Sequence, residues 1–305
     1  MIDAERGWLR RLPNGKSISA LGFGVSSLMA KPSFDADRAH AVLDAALAGG
    51  INHFDTSPSY GFGNGELRLA RMLANHDPAT LVVSTKVGSN RVDSRIERGF
   101  TLDLVRRSFD ASLARLGRDH VDILYLHGPE EQDLNDGVFR FFEDQKAAGR
   151  ITYSGVNSFD ARVLDRRAAS PVDSVMLQYN VGDFRSAGSM ARLNDAGKIV
   201  ISGTALARAV YDWRTFVPRD LGSFWYLLRM ARSDPAFLFA GRRLARRLDA
   251  IGPDRHATAI GFVVGEPGIV SNLFGTASPA HAAANARAGH VPLGAAARAM
   301  LWAEA

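Results

Sequence analysis

Gly49-Gly50-Ile51-Asn52-His53-Phe54-Asp55-Thr56-Ser57-Pro58-Ser59-Tyr60-Gly61 holds a helix stop, a short buried strand and a turn in close succession. Two glycines end the preceding amphipathic stretch. Ile51 to Asp55 is apolar enough for a strand, and Thr56, Ser57, Pro58 and Ser59 break it. An acid therefore stands at a strand end, and a phenol follows on the loop five positions later. Taken alone, Asp55 reads equally well as a turn residue capping its own backbone, and Tyr60 as an aromatic covering a rim.

The same strand-then-helix pattern repeats on either side. Leu21 to Ser26, Leu81 to Lys86, Val121 to His127, Ile151 to Val156, Ser174 to Gln178, Lys198 to Ser202 and Ile269 to Phe274 read as further strands. Between them lie helices: one opened by Phe34-Asp35-Ala36-Asp37, then Gly65 to Ala74, Thr101 to Leu116, Gly137 to Ala148 and a last one over Pro279 to Ala288. Near-continuous apolar strands mean burial on both faces, as in a parallel sheet. Eight such units in a chain of this length predict a closed (β/α)8 TIM barrel, a single domain over 1–305. A doubly wound open sheet is the alternative, but no Gly-x-Gly-x-x-Gly turn follows an early strand; Gly61-Phe62-Gly63-Asn64-Gly65 has the wrong spacing. Arg10 to Ile18, with Asn14-Gly15 at its turn, reads as an N-terminal β-hairpin that plugs the barrel bottom. Between strand 7 and strand 8, Gly203 to Gly268 runs to about 65 residues where about 30 suffice for a crossover. This predicts a helical insertion, either an extra pair packed on the barrel or a lid over its mouth. Its aromatics include Trp225 and Tyr226, candidate substrate contacts.

The 305 residues are 46% hydrophobic and 23% charged, ordinary for a globular protein with one large core. Without cysteine, disulfides and thiolate metal sites are excluded. Met1 to Arg11 has no apolar segment of the kind a secretory signal needs, and no run of about 18 apolar residues occurs. The expectation is a cytoplasmic protein with no membrane partner. Net charge is +5, concentrated in Arg242, Arg243, Arg246 and Arg247. With no recognition motif beside them, these arginines read as the solvated face of a helix, and no nucleic-acid partner is expected.

On a barrel, residues at the C-terminal ends of the strands face one pocket. Asp55, Lys86 and His127 end three successive strands, and Tyr60 follows the first of them. Such a set suits proton transfer to or from a carbonyl oxygen. A phenol has a reference pKa near 10, which a nearby ammonium lowers by favouring the phenolate. Asp55 pairs with Lys86 and keeps it charged, and His127 can orient the oxygen with a hydrogen bond. None of these groups supplies a hydride, so a cofactor must. His53 and Asp55, two apart on a strand, also have metal-ligand spacing, but no His-rich set accompanies them and His53 reads as filling an apolar slot.

At this point the sequence resembles the aldo/keto reductase superfamily, from about Ile18 to Ala288. The likeness rests on Gly49 to Thr56 with Tyr60-Gly61, on strand-end Lys86, and on Asp122-Ile123-Leu124-Tyr125-Leu126-His127. It implies that Asp55, Tyr60, Lys86 and His127 form a catalytic tetrad with Tyr60 as general acid/base, in an NAD(P)H-dependent reduction of an aldehyde or ketone, or the reverse. The substrate is then a small carbonyl or alcohol. A non-catalytic, nucleotide-binding redox sensor, such as the family's ion-channel accessory subunits resemble, is the alternative. For the cofactor, the resemblance implies Gln178 at the nicotinamide carboxamide, Asn157 and Ser158 in reversed order after strand five, and Gly203 with Thr204 after strand seven. Gly203 stands where the family often stacks an aromatic, leaving Tyr211 or Trp213 to cover the ring. Gly275, Thr276 and Ser278 form the phosphate-binding turn, and Asn285 faces adenine. The family's usual basic pair for a 2′-phosphate is missing, with Gly275 and His281 in its place, and Ala284 replaces a common Glu. The base rate still favours NADP(H) over NAD(H), with Arg287 a further candidate cation.

Overall fold

A computed structural model describes residues 7–92, 95–167, 170–218, 224, 228, 232 and 237–303. A two-stranded hairpin comes first, β1 (Leu9–Arg11) and β2 (Ser17–Ser19), turning through Gly15 at φ +86°, a left-handed conformation that favours glycine. The remaining elements, in chain order, are β3 (Leu21–Gly24), α1 (Ser27–Ala30), α2 (Ala36–Ala48), β4 (His53–Asp55), α3 (Asn64–Leu73), β5 (Val82–Val87), β6 (Ser89–Val92), β7 (Arg95–Arg98), α4 (Leu102–Leu116), β8 (Val121–His127) and α5 (Asp136–Ala147). Then follow β9 (Ile151–Asn157), α6 (Ala161–Arg167), β10 (Ser174–Leu177), α7 (Ala187–Asp195), β11 (Ile199–Ser202), α8 (Phe237–Asp249), α9 (Arg255–Val264), β12 (Ser271–Phe274), α10 (Pro279–Gly289) and α11 (Ala295–Ala303).

The strands β3, β4, β5, β8, β9, β10, β11 and β12 pair in parallel in that order, and β12 returns to β3 to close the barrel. This is the predicted (β/α)8 architecture with its N-terminal hairpin. Helix ends follow local chemistry. Asp35, Thr101, Asn135, Asp254 and Ser278 each accept a backbone N–H of the helix they open, satisfying donors that have no partner within the helix. Along α4, Leu104, Val105, Ser108, Phe109, Ser112, Leu113 and Leu116 form the buried stripe against the sheet.

Two apolar layers result. The larger lies between sheet and helices. The smaller fills the barrel interior and includes Ile18, Val82, Ile123, Tyr125, Met176 and Ile201. Hairpin residues Leu12 and Ile18 belong to this inner layer, and Lys16 Nζ pairs with Asp122 Oδ1 at 2.6 Å, so the hairpin does plug one end. The functional face is left at the other end, where the strands finish.

Four elements differ from the sequence reading. A second hairpin, β6–β7, follows β5; its polar residues carry no strand-like alternation. Helices α1 and α11 were likewise not expected. The insertion after β11 contains α8, which exposes Arg242, Arg243 and Arg246 and buries Leu244 and Leu248, a solvated basic face. Trp225 and Tyr226 lie outside the described residues. No helix among the described residues is long and apolar enough to cross a membrane.

Close packing of the inner layer is set partly by glycine. A Cβ on Gly155 of β9 would sit 2.4 Å from a Tyr125 ring carbon and 3.2 Å from Ser174 O. Gly155→Ala is therefore expected to destabilise the fold by about 1–3 kcal/mol, the usual range for overpacking. A lowered denaturant midpoint with unchanged slope is the measurement; an unchanged midpoint contradicts this packing.

Candidate active site

The parallel register puts Asp55 beside Ser84 and Lys86 beside Tyr125, so the ends of β4, β5 and β8 finish together. Lys86 is fully buried, and its Nζ donates to Asp55 Oδ2 at 2.5 Å and to Thr56 O at 2.9 Å. Ser84 Oγ donates to the other carboxylate oxygen at 2.7 Å. Lys86 Nζ also lies 5.0 Å from the centroid of the Tyr60 ring. Tyr60 in turn meets His127 edge-on, with centroids 5.8 Å apart. The four strand-end groups therefore converge.

Burial by itself would lower the Lys86 ammonium, but the Asp55 carboxylate and the Tyr60 phenol outweigh it, and the lysine is held above its ordinary value. Burial likewise works against the ionised Asp55 and holds it above the ordinary carboxylate value, with Lys86 and then Ser84 opposing the rise. His127 behaves differently. Burial, then Lys86 and Arg98, push it down to about 3, so it is neutral at physiological pH. Its Nδ1 lies 3.1 Å from Ser57 Oγ and 3.4 Å from Ser59 Oγ. The turn Thr56–Ser59 thus does more than break a strand: it supplies a carbonyl to Lys86 and hydroxyls to His127.

Three connected spaces open here. A cavity of about 150 Å³ is lined by Asp55, Tyr60 and His127 together with Asn157, Met176, Gly203 and Phe274. It shares Ser26, Gly203, Leu273, Phe274 and Gly275 with a groove of about 470 Å³ that reaches Thr204, Thr276 and Ala277. On the opposite side it shares His127, Asn157 and Phe159 with a groove of about 690 Å³ that also takes in Arg98, Glu130 and Asp160.

Most residues predicted for the cofactor line these spaces: Asn157, Ser158, Gly203, Thr204, Gly275 and Thr276. Thr204 Oγ1 accepts a bond from Asn180 Nδ2 at 3.0 Å. Ser278 caps α10, accepting from His281 N, while the His281 side chain is exposed and Asn285 is buried. A Cβ at Gly203 would meet nothing closer than 3.6 Å, so any side chain there would enter the space itself.

Gln178 lines none of the three spaces. Strand β10 ends at Leu177, and the Gln178 amide donates instead to Asp183 Oδ2 at 2.8 Å. Neither residue proposed to replace the missing aromatic reaches the cavity: Tyr211 is buried with its hydroxyl 3.3 Å from His256 Nδ1, and Trp213 is 66% exposed on a short 3-10 turn. The expectation that His53 fills an apolar slot is corrected. Its Nδ1 lies 2.9 Å from Ser271 Oγ and its Nε2 3.3 Å from Ser84 Oγ. Ser84 was legible in principle, since it stands two residues before Lys86 and shares its face of the strand.

The aldo/keto reductase family profile matches residues 20–301. The chain belongs to the aldo/keto reductase family. It is 35% identical over 177 residues to a D-threo-aldose 1-dehydrogenase of a Pseudomonas species, a match covering 50% of this chain and 54% of the relative. To L-galactose dehydrogenase of Arabidopsis thaliana it is 35% identical over 215 residues, 65% of each chain. The matched stretches thus span between about half and two thirds of these relatives. Among solved structures, the holo form of an aldo-keto reductase from Bacillus halodurans superposes with a TM-score of 0.80 at 22% identity, covering 98% of this chain and 97% of that one. At that identity the likeness concerns this aldo/keto reductase's fold.

The neutral histidines have a consequence for stability. His53 is also held down to about 3, by burial and then by Lys86. In the unfolded chain each ring takes up a proton near pH 6.5. Between about pH 6.5 and 3 the unfolded state binds more protons, so stability falls as pH falls through this window and is fully present only above it. Unfolding at pH 5 is expected to cost about 2 kcal/mol less than at pH 7 for His53 alone. Denaturant titrations at the two pH values measure this; equal or greater stability at pH 5 contradicts it.

Proposed function

We propose that this aldo/keto reductase is a single barrel domain that interconverts a small carbonyl compound and its alcohol with a nicotinamide dinucleotide. The observation that carries this reading is the buried Lys86–Asp55 pair beside Tyr60 and His127, opening onto a cavity continuous with a groove that ends at a helix N-terminus. Bound in that groove, the cofactor supplies the hydride that no residue here can.

The protein's own groups do the rest. Tyr60 transfers the proton to or from the substrate oxygen, as general acid in reduction and general base in oxidation. Lys86, kept charged by Asp55, stabilises the phenolate left behind. A Ser57 hydroxyl donating to His127 Nδ1 fixes the Nε2–H tautomer, which leaves that N–H to bind and orient the substrate oxygen. Asn157 and Ser158 would hold the nicotinamide end, and Gly203 would leave it room. Thr276, Ser278 and the first turn of α10 offer hydroxyls and backbone N–H groups to phosphate oxygens.

For the cofactor's 2′-phosphate, Arg38 supports NADP(H) over NAD(H). It comes from α2, not from α10, where sequence comparison looks for a cation. Its Nε donates to Ala277 O at 3.2 Å, and its guanidinium lies 5.7 Å from the Phe34 ring centroid, so the fork is held beside the phosphate turn. The larger groove supports a hydroxyl-rich substrate: Arg98, Glu130, Glu131, Gln132, Ser158 and Asp160 offer both donors and acceptors. Relatives whose names refer to aldose and galactose oxidation are consistent with that choice.

Two measurements test this. Tyr60→Phe keeps the ring and removes the proton, so turnover of any accepted carbonyl is expected to drop at least roughly a hundredfold while cofactor binding survives. Near-parental turnover would sink the assignment of the acid. Arg38→Ala is expected to weaken NADPH binding roughly tenfold or more, the worth of a charged hydrogen bond, and to leave NADH within about twofold. Equal losses for the two cofactors, read by fluorescence titration, would remove Arg38 from the site.

A further inference from the structure

Below the catalytic cavity, hydrogen bonds cross the barrel interior from β12 to β4 to β5. Ser271 Oγ lies 2.9 Å from His53 Nδ1, His53 Nε2 lies 3.3 Å from Ser84 Oγ, and Ser84 Oγ donates to Asp55 Oδ1 at 2.7 Å. Ser271, His53 and Ser84 are all fully buried. The imidazole occupies space that β3 leaves open: a Cβ on Gly22 would lie 2.7 Å from His53 Nδ1.

The proton positions follow from what each group has to give. A serine hydroxyl has one proton. Ser84 gives its proton to the Asp55 carboxylate, so its oxygen can only accept from the histidine. A neutral imidazole has one N–H, which must then sit on Nε2, and Nδ1 is left to accept from Ser271. Every donor in the chain therefore points the same way, from Ser271 through His53 and Ser84 to Asp55. Hydrogen bonds aligned head to tail polarise and strengthen one another in a low-dielectric interior.

We infer that Ser84 and His53 are positioning residues, a donor chain that keeps the buried Asp55 ionised and aimed, so that Lys86 stays charged beneath Tyr60. The inference rests on the catalytic assignment proposed above. The ionisable groups around Asp55 are His53 on its own strand, Lys86 from β5, Tyr60 from the following loop, and Tyr125 and His127 from β8. Lys86 is the only cation among them. Tyr125 is held protonated by burial, with its hydroxyl 2.9 Å from Ser174 Oγ, and His127 is neutral, so neither adds a charge beside Asp55.

The first measurement needs no variant. In protein labelled with ¹⁵N-histidine, His53 is expected to be a single neutral Nε2–H tautomer from pH 8 down to pH 5. A proton on Nδ1, or titration near pH 6.5, would overturn the chain, whether or not any variant folds. The second compares Ser84→Ala with Ser84→Thr. Without the donated bond, burial favours the protonated Asp55. The acidic limb of the kcat profile in Ser84→Ala is then expected to move up by about one pH unit, so that activity near that limb falls roughly tenfold while KM changes little. The hydroxyl of Ser84→Thr should restore the parental limb. A Ser84→Ala limb that stays where it was, at any level of kcat, overturns the positioning role. Full turnover by Tyr60→Phe would instead overturn the catalytic assignment and leave the tautomer result standing.

Discussion

One ion pair, Lys86 with Asp55, constrains the rest of the barrel mouth. Removing both charges from water is costly, and the pair persists only where the remaining valences are filled. Here they are. Thr56 O takes a second lysine proton, and Ser84 serves the second carboxylate oxygen. Thr56 and Asp55 can offer those oxygens to one ammonium only because β4 ends and turns at that point. The strand break in the sequence is therefore an electrostatic requirement as well as a topological one.

The barrel interior is graded along its axis. Ile18, Val82, Ile123 and Ile201 belong to its apolar filling, closed off by the hairpin. Above it lies a polar layer of Ser271, His53, Ser84 and Asp55, and above that the cavity lined by Tyr60 and His127. Each layer suits the next: a dry floor strengthens the bonds in the polar layer, and that layer steadies the ion pair beneath the cavity. Loops then divide the space at the mouth. The β11 and β12 loops shape one groove, and those after β8 and β9 the other.

Much of this was legible in the chain. Alternating apolar strands and capped helices specify eight βα units, and parallel pairing brings their C-terminal ends to one face. Asp55, Lys86 and His127 could be placed together on that basis, because a strand end is a local property. The opening of the α4 helix at Thr101 was equally plain, since a cap bonds within its own turn.

What the chain did not show are the contacts that depend on which strands and helices end up across from one another. Ser271 and His53 are 218 residues apart and meet only because β12 closes the barrel against β3. Arg38 reaches Ala277 only because α2 and α10 pack side by side. Gln178 and Tyr211 show the same limit: their side chains meet Asp183 and His256, contacts that sequence position alone did not indicate. Sequence by itself determined the barrel and which polar groups stand at its strand ends, because periodicity and capping act over a few residues. Tertiary structure alone decided which polar atoms share a proton, because a hydrogen bond reaches about 3 Å and depends on where closure puts its partner.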